Sequence, residues 1–271
     1  MTGLEIFMDN IPIWAALMIT LGIIIAGFEG GFILGKHRYI RLNKEKDSLV
    51  GPMVAATLGL LAFMLSFSFG VASSHFTTRK QLVLDEANAI RSVYEMSEML
   101  SAPSCAESKK LLREYVNMRL IAYHSIDEVN AGIAKANGIQ DQLWAIAMAG
   151  EAEGTGVSSS WLYVQSLSDM INMQAKRINA SLHGQIQPSI WFVLYWLAFL
   201  GMAGMGYHAG LVGIRGFFAY PILILTFSLV LVLIYDLDRP KQALFKVSQQ
   251  TMIDLQKRMA EPETLTIPIK E

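Results

Sequence analysis

Four apolar stretches, at 12–35, 52–76, 189–212 and 217–235, flank a polar, helix-patterned middle at 77–188 as two close pairs. Each approaches or exceeds the roughly 20 residues that carry a helix across a bilayer. Nothing alternates with period two for long enough to be a strand, and no internal repeat is visible apart from the paired spans. The chain is therefore expected to be all-α, with four transmembrane helices in two hairpins and an extramembrane helical bundle inserted between spans two and three. The expected divisions are a first transmembrane pair (1–76), the bundle (77–188), a second transmembrane pair (189–235), and a C-terminal amphipathic helix and tail (236–271).

The 53% of residues that are hydrophobic exceed what a soluble domain needs, and the excess lies in the four spans. A formal net charge of -1, without basic residues interleaved with exposed aromatics, gives no reason to expect nucleic acid. The lipid bilayer is the first partner. The single cysteine, Cys105, offers neither an internal disulfide nor a thiolate metal site and is read as an inert packed thiol. The N-terminus lacks the basic region and cleavage site of a signal peptide, and Glu5 and Asp9 precede the first span, which is expected to stay in the mature protein.

Short cytoplasmic loops carry an excess of Lys and Arg. The first loop holds Lys36, Arg38, Arg41, Lys44 and Lys46, and the last short loop holds Arg215, whereas the N-terminal tail has no basic residue. Both loops are placed in the cytoplasm, with the middle region and both termini outside. Arg79, Lys80, Arg239 and Lys241 are the signal against this orientation.

Span two has no breaker after Pro52, and the helical pattern continues through Leu82, Val83, Ala87, Ile90, Tyr94 and Leu100, so one helix is expected to run as far as Ala102. Pro103 marks a boundary, with Ser104 and Glu107 at capping-box spacing. Leu111, Leu112, Tyr115, Val116, Leu120, Tyr123 and Ile126 form the stripe of the next helix, which Gly132 and Gly138 are expected to interrupt. A shorter segment at 139–150 leads to an exposed Gly, Ser and Thr-rich loop at 154–160. The last middle helix carries Val164, Leu167, Ile171, Ala175, Ile178, Leu182 and Ile186. Residues 241–259 are amphipathic, with Phe245, Met252, Leu255 and Met259 available for packing, and 261–271 reads as a loose tail.

The motifs point away from an enzyme. Residues 30–36 read GGFILGK, the spacing of a phosphate-cradling loop, but His37 stands where Ser or Thr is required and no strand precedes it. The five histidines are scattered without metal spacing, and no Ser, His and Asp arrangement is recognisable. No cofactor, metal or catalytic residue is expected.

Glu29 is the acidic residue well inside a span, which makes it either a functional group or one that snorkels to pair with the basic loop. Gly206 and Gly210 form a small-xxx-small pair, serving intramolecular packing or a subunit interface. Trp191, Tyr195 and Trp196 fit an interfacial aromatic belt. Span two aligns Gly59, Phe63, Phe67, Gly70 and Ser74 on one face with Ser66 beside it. That face either packs in the core or lines a pore whose phenylalanines form an apolar constriction.

Span two followed by DEANAI (85–90), DLDRP (236–240) after the last span and VSQQ (247–250) beyond it resemble the bacterial bestrophin-like family, whose function is unassigned. The basic first loop ending in Val50 and Gly51 is similar to that family too. The resemblance covers essentially the whole chain in its order of elements. It implies a four-span membrane protein and marks Glu86, Ala87, Asn88, Asp236, Asp238, Arg239 and Pro240 as family-motif positions without a known role. True bestrophins are pentameric anion channels, but their pore-lining sequences are not clearly matched here, so none of those residues is transferred. Asp236, Asp238 and Arg239 would form a charge cluster at the membrane edge, for structural pinning or ion coordination, and Pro240 would end the span.

Two functions follow. One is a homo-oligomeric ion channel, for anions by the resemblance, with span two lining the pore. The alternative is a non-conducting membrane protein whose helical domain binds a partner or senses the cell envelope. The near balance of basic and acidic residues in the middle region argues against a strong anion funnel.

Overall fold

The computed structural model describes residues 11–41, 49–121, 126–152, 157–213, 219–239 and 247–260. Among these residues the chain is helical without a strand: α1 (Ile13–Arg41), α2 (Val50–Met96), a 3-10 turn (Ser97–Met99), α3 (Ala102–Arg119), α4 (Ile126–Ala152), α5 (Val157–His183), α6 (Pro188–Val212), α7 (Ala219–Asp238) and α8 (Gln250–Ala260). Lys44, Lys46, Tyr123, the loop at 154–156, Arg215, Pro240, Lys241, Phe245 and the tail at 261–271 lie outside the described residues. Helices α1, α2, α6 and α7 are long and apolar enough to cross a bilayer, which makes this a multi-pass membrane protein.

By internal contacts the chain divides into two compact units, 1–77 with 184–246 and 78–183 with 247–271. Helix α2 belongs to the first as far as Thr77 and to the second from Thr78. Without proline or glycine beyond Gly70 to interrupt it, α2 runs unbroken for 47 residues, about 70 Å at the usual rise. It stops at Met96, earlier than the pattern predicts: the buried Ser97 hydroxyl donates to the Tyr94 carbonyl at 2.6 Å, and the chain tightens into the 3-10 turn.

In the first unit α1 and α6 lie in direct backbone contact. A Cβ placed on Gly27, Gly31 or Gly35 would come within 2.8, 1.9 or 2.2 Å of the Phe199, Ala203 or Tyr207 carbonyl oxygen. Both sets of numbers rise together, so the two helices run parallel. From the other side, a Cβ on Gly206 or Gly210 would meet the Phe28 or Phe32 carbonyl at 2.0 or 2.5 Å. Lipid gives helices no hydrophobic reason to associate, and close approach over small residues supplies dispersion contacts instead. Gly206 and Gly210 therefore serve packing within the chain, and the glycines of GGFILGK belong to a helix surface.

Leu61, Leu65 and Ala72 of α2 and Leu231, Ile234 and Tyr235 of α7 complete this core with Ile24, Phe28, Leu194, Ala198 and Met202. Trp191 and Tyr195 depart from the expected belt. Trp191 is buried edge-on against Tyr235, ring centroids 5.8 Å apart, and the Tyr195 hydroxyl pairs with Thr20 Oγ1 at 2.9 Å, while Trp196 alone of the three faces outward. Helix α6 ends where Gly213 takes a left-handed φ of 71° and returns its N–H to Ala209.

The second unit has an ordinary apolar interior: Val93, Leu112, Tyr115, Val116, Leu143, Tyr163, Leu167 and Met170, closed by Met252, Leu255 and Met259 of α8. Helix α3 starts after Ser101, three residues before the predicted cap, with Pro103 in its first turn and Ser101 Oγ donating to Ser104 Oγ at 3.1 Å. Gly132 and Gly138 do not interrupt α4, because a glycine in a helix interior costs only about 1 kcal/mol and neighbouring burial outweighs it. The polar stretch at 157–160 is the first turn of α5. Helix α5 buries Tyr163, Leu167, Met170 and Gln174, leaving Val164 and Ile171 half-buried and Ala175 exposed. Within the described part of the amphipathic run at 241–259, residues 247–249 are non-helical and helix α8 begins at Gln250.

Candidate functional site

At about 100° per residue, a helix places residues three and four apart on one side. In the apolar half of α2, Leu61, Leu65, Ser68 and Ala72 are buried, and the opposite side presents Gly59, Phe63, Ser66, Phe67, Gly70 and Ser74. Phe63 is 64% exposed and Phe67 57%, and all six of these residues are uncovered by the described helices. The face is unlike a purely lipid-facing surface: glycines and hydroxyls alternate with two aromatic rings. Small residues at such positions permit close approach to another helix, and serine hydroxyls are compatible with water. Glu29 lies half-buried on α1.

The carboxylate of Asp238 ends α7 and is only 4% exposed. The Ile186 N–H, just before α6, donates to its two oxygens at 2.9 and 3.0 Å, and His75 Nδ1 of α2 lies 3.5 Å from Oδ1. Beside it the Arg239 guanidinium stacks on the Tyr235 ring, 3.8 Å from the centroid, and Asp236 is buried as well. The Tyr235 hydroxyl reaches the Ile11 carbonyl at 3.4 Å. Asp238 thus links the end of α7 to the segment before α6 and to the end of the apolar part of α2, and the neighbouring Tyr235 links it to the residues before α1. Two of these partners, His75 and the Ile186 amide, are ones that sequence reasoning missed; a backbone N–H leaves no trace in a side-chain pattern.

The DEANAI segment lies in the second unit. Glu86 is 0% exposed and Ala87 buried, whereas Asn88 is exposed. Arg119 of α3 presents a fork to the carboxylate, Nε 2.9 Å from Oε1 and Nη2 donating to Oε2 at 3.2 Å, and Arg177 of α5 donates to Oε2 from the other side. Burial opposes the charge on Glu86, but the guanidiniums of Arg119 and then Arg177 outweigh it and hold the carboxyl below its ordinary range. The Tyr115 hydroxyl lies 2.8 Å from Gln174 Oε1 and 3.3 Å from Glu86 Oε1, and burial, then the Glu86 charge, raises its pKa. Arg177 also donates to Gln249 Oε1 at 3.3 Å, just before α8. One carboxylate therefore fastens α2, α3 and α5 together. The sequence signal available was Gln174 and Arg177 continuing the buried edge of an apolar stripe.

Among the described residues no group of His, Cys, Asp and Glu is placed to hold a metal ion. The geometry offers a helix-lined surface and two pinned junctions. Comparison with the curated proteins and with the solved structures finds no match. The Bestrophin-like domain, however, matches residues 22–252, from the middle of α1 to the first turn of α8. It thus includes the glycine-packed spans, both motifs and the uncovered face of α2, and the chain belongs to the bestrophin-like family.

Proposed function

We propose that the protein is a homo-oligomeric ion channel of bestrophin type in which the outward face of α2 lines the conduction pathway. The observation that carries this reading is the face itself: Gly59, Phe63, Ser66, Phe67, Gly70 and Ser74 stand opposite the buried side of the helix, uncovered by the other described helices. Four spans cannot enclose a pore alone, and copies arranged around an axis would bring these faces together. The Phe63 and Phe67 rings would then form an apolar constriction that gates by dewetting, with the Ser66 hydroxyl at the level of the rings and that of Ser74 beyond them.

Anions are the proposed permeant ions, from the family relation. In this reading the spans form two hairpins, with the middle region inserted between spans two and three. The parallel course of α1 and α6 is consistent with that alternation. The basic first loop supports a reading with the hairpin turns in the cytoplasm of a bacterial inner membrane and the middle region and termini outside. No catalytic step is assigned to the protein.

Ion flux from purified protein in liposomes tests the proposal. Wild type should conduct, and Phe63→Ala and Phe67→Ala should leak more by widening the constriction. A monomer in detergent, or no flux above empty liposomes at any potential, would overturn it. Reporter fusions after Lys46 and at Gly156 test the orientation, which a cytoplasmic Gly156 would reverse.

A further inference from the structure

A groove of about 330 Å³ lies between α4 and α5, lined by Ile133, Asn137 and Gln140 of α4 and by Ile171, Gln174, Ala175, Ile178 and Asn179 of α5. Its size falls at the small end of ligand pockets, roughly 300–1,000 Å³. The lining contains no ionisable side chain, only apolar groups and carboxamides. Two of the carboxamides are deeply set, Gln140 at 7% and Gln174 at 3% exposure.

These amides are ordered by the buried cluster behind them. Tyr115 donates to Gln174 Oε1, Gln140 Nε2 donates to the same oxygen, and Gln174 Nε2 donates to Asn137 Oδ1 at 3.3 Å. Each carboxamide has one acceptor oxygen and one donor nitrogen. With the chain of bonds in this direction, Gln140 Oε1 and the Asn137 NH₂ group have no protein partner among the described residues. Reversing every amide lets Tyr115 donate to Glu86 instead, and it leaves a donor on Gln140 and an acceptor on Asn137. Either direction presents one donor and one acceptor, three residues apart on one face of α4, beside isoleucine side chains.

We infer that this groove binds a small uncharged molecule with an apolar body and an amide-like edge, a primary amide or the lactam edge of a heterocycle. Such an edge carries an adjacent donor and acceptor, the complement of the pair that Gln140 and Asn137 offer. A charged ligand would lose hydration here without an ionised partner in the lining. The inference is independent of conduction, because it rests on the second unit alone.

Saturation-transfer difference NMR on the full-length protein in detergent micelles tests it, with nicotinamide and uracil as probes and nicotinate as the charged counterpart. Nicotinamide and uracil should receive saturation above protein-free micelles, and nicotinate should not. Gln140→Met and the exposed Asn137→Ala should each weaken binding about tenfold, the order expected for one lost hydrogen bond. Ile171→Trp should fill the groove and abolish binding. Asn137→Ala keeps the test decisive if Gln140→Met fails to fold. Absence of transfer to both neutral probes, nicotinate binding as well as nicotinamide, or wild-type binding by a folded Asn137→Ala or Ile171→Trp would each overturn the assignment.

Discussion

The two units of this chain solve helix packing in opposite ways. In the first, α1 and α6 meet backbone to backbone, and what matters is the absence of side chains at Gly27, Gly31, Gly35, Gly206 and Gly210. In the second, helices stand apart on Leu112, Tyr115, Leu143, Tyr163 and Leu167, and a buried carboxylate is held by two arginines. On the proposed arrangement, with the second unit outside the bilayer, the difference follows from the solvent. Lipid is as apolar as leucine, so shape decides association among the spans, whereas water drives apolar side chains together and a polar cluster then fixes which helices join.

Removing the cluster should break the second unit hardest. Glu86→Ala leaves the half-buried Arg119 and Arg177 guanidiniums without their buried carboxylate and should cost about 3 kcal/mol of stability. Hydrogen exchange should place the loss in 78–183 and 247–260. The same residue sets an acid dependence: its folded pKa lies below the ordinary 4.5, so its stabilisation is complete above that value and disappears as pH falls through the folded pKa. Thermal melts of Glu86→Ala should show a flatter acid limb than wild type.

The first unit should break by addition. Gly31→Ala puts a Cβ 1.9 Å from the Ala203 carbonyl, which cannot yield as a side chain would, and should cost about 3 kcal/mol. Gly30→Ala, with nothing within 4 Å, should leave the melting temperature unchanged or raised, because it adds only helix propensity. Equal effects at these neighbouring positions would dissolve the contrast between the units.

Smaller effects sharpen it. Asp238→Asn removes the charge that receives the Ile186 N–H and should cost about 1–3 kcal/mol, with exchange rising at 184–187. Tyr163→Phe loses the bond to Ser108 Oγ at 2.7 Å and should cost about 1 kcal/mol. Burial pushes the Tyr163 pKa up to about 12. Its contribution is therefore complete below about 10, the ordinary tyrosine value, and lost as pH rises toward 12; the phenylalanine variant should flatten that alkaline limb.

The spans were legible because twenty apolar residues in a row have few other uses, and α2 was legible as one helix because nothing in it breaks the pattern. The partner of each glycine face was not legible: GGFILGK has the spacing of a phosphate loop, and only the position of α6 shows what Gly31 and Gly35 accommodate. Glu86 was visible as a motif residue, but Arg119 and Arg177 lie 33 and 91 residues further on. Asp238 was visible too, while its partner is a backbone amide 52 residues away. Helix ends moved because Ser97 and Ser101 compete locally for backbone and hydroxyl partners, which a stripe of apolar residues does not encode.

On the proposed function, one side of α2 faces the ion pathway and the other the protein interior. Ser66, exposed, and Ser68, 1% exposed, lie on those two sides. In a Cys105→Ser background reconstituted in liposomes, Ser66→Cys should conduct until a charged, membrane-impermeant thiol reagent blocks it, and Ser68→Cys should conduct unaffected. Block at Ser68→Cys with none at Ser66→Cys, or no conduction by either variant or by wild type, would contradict the account.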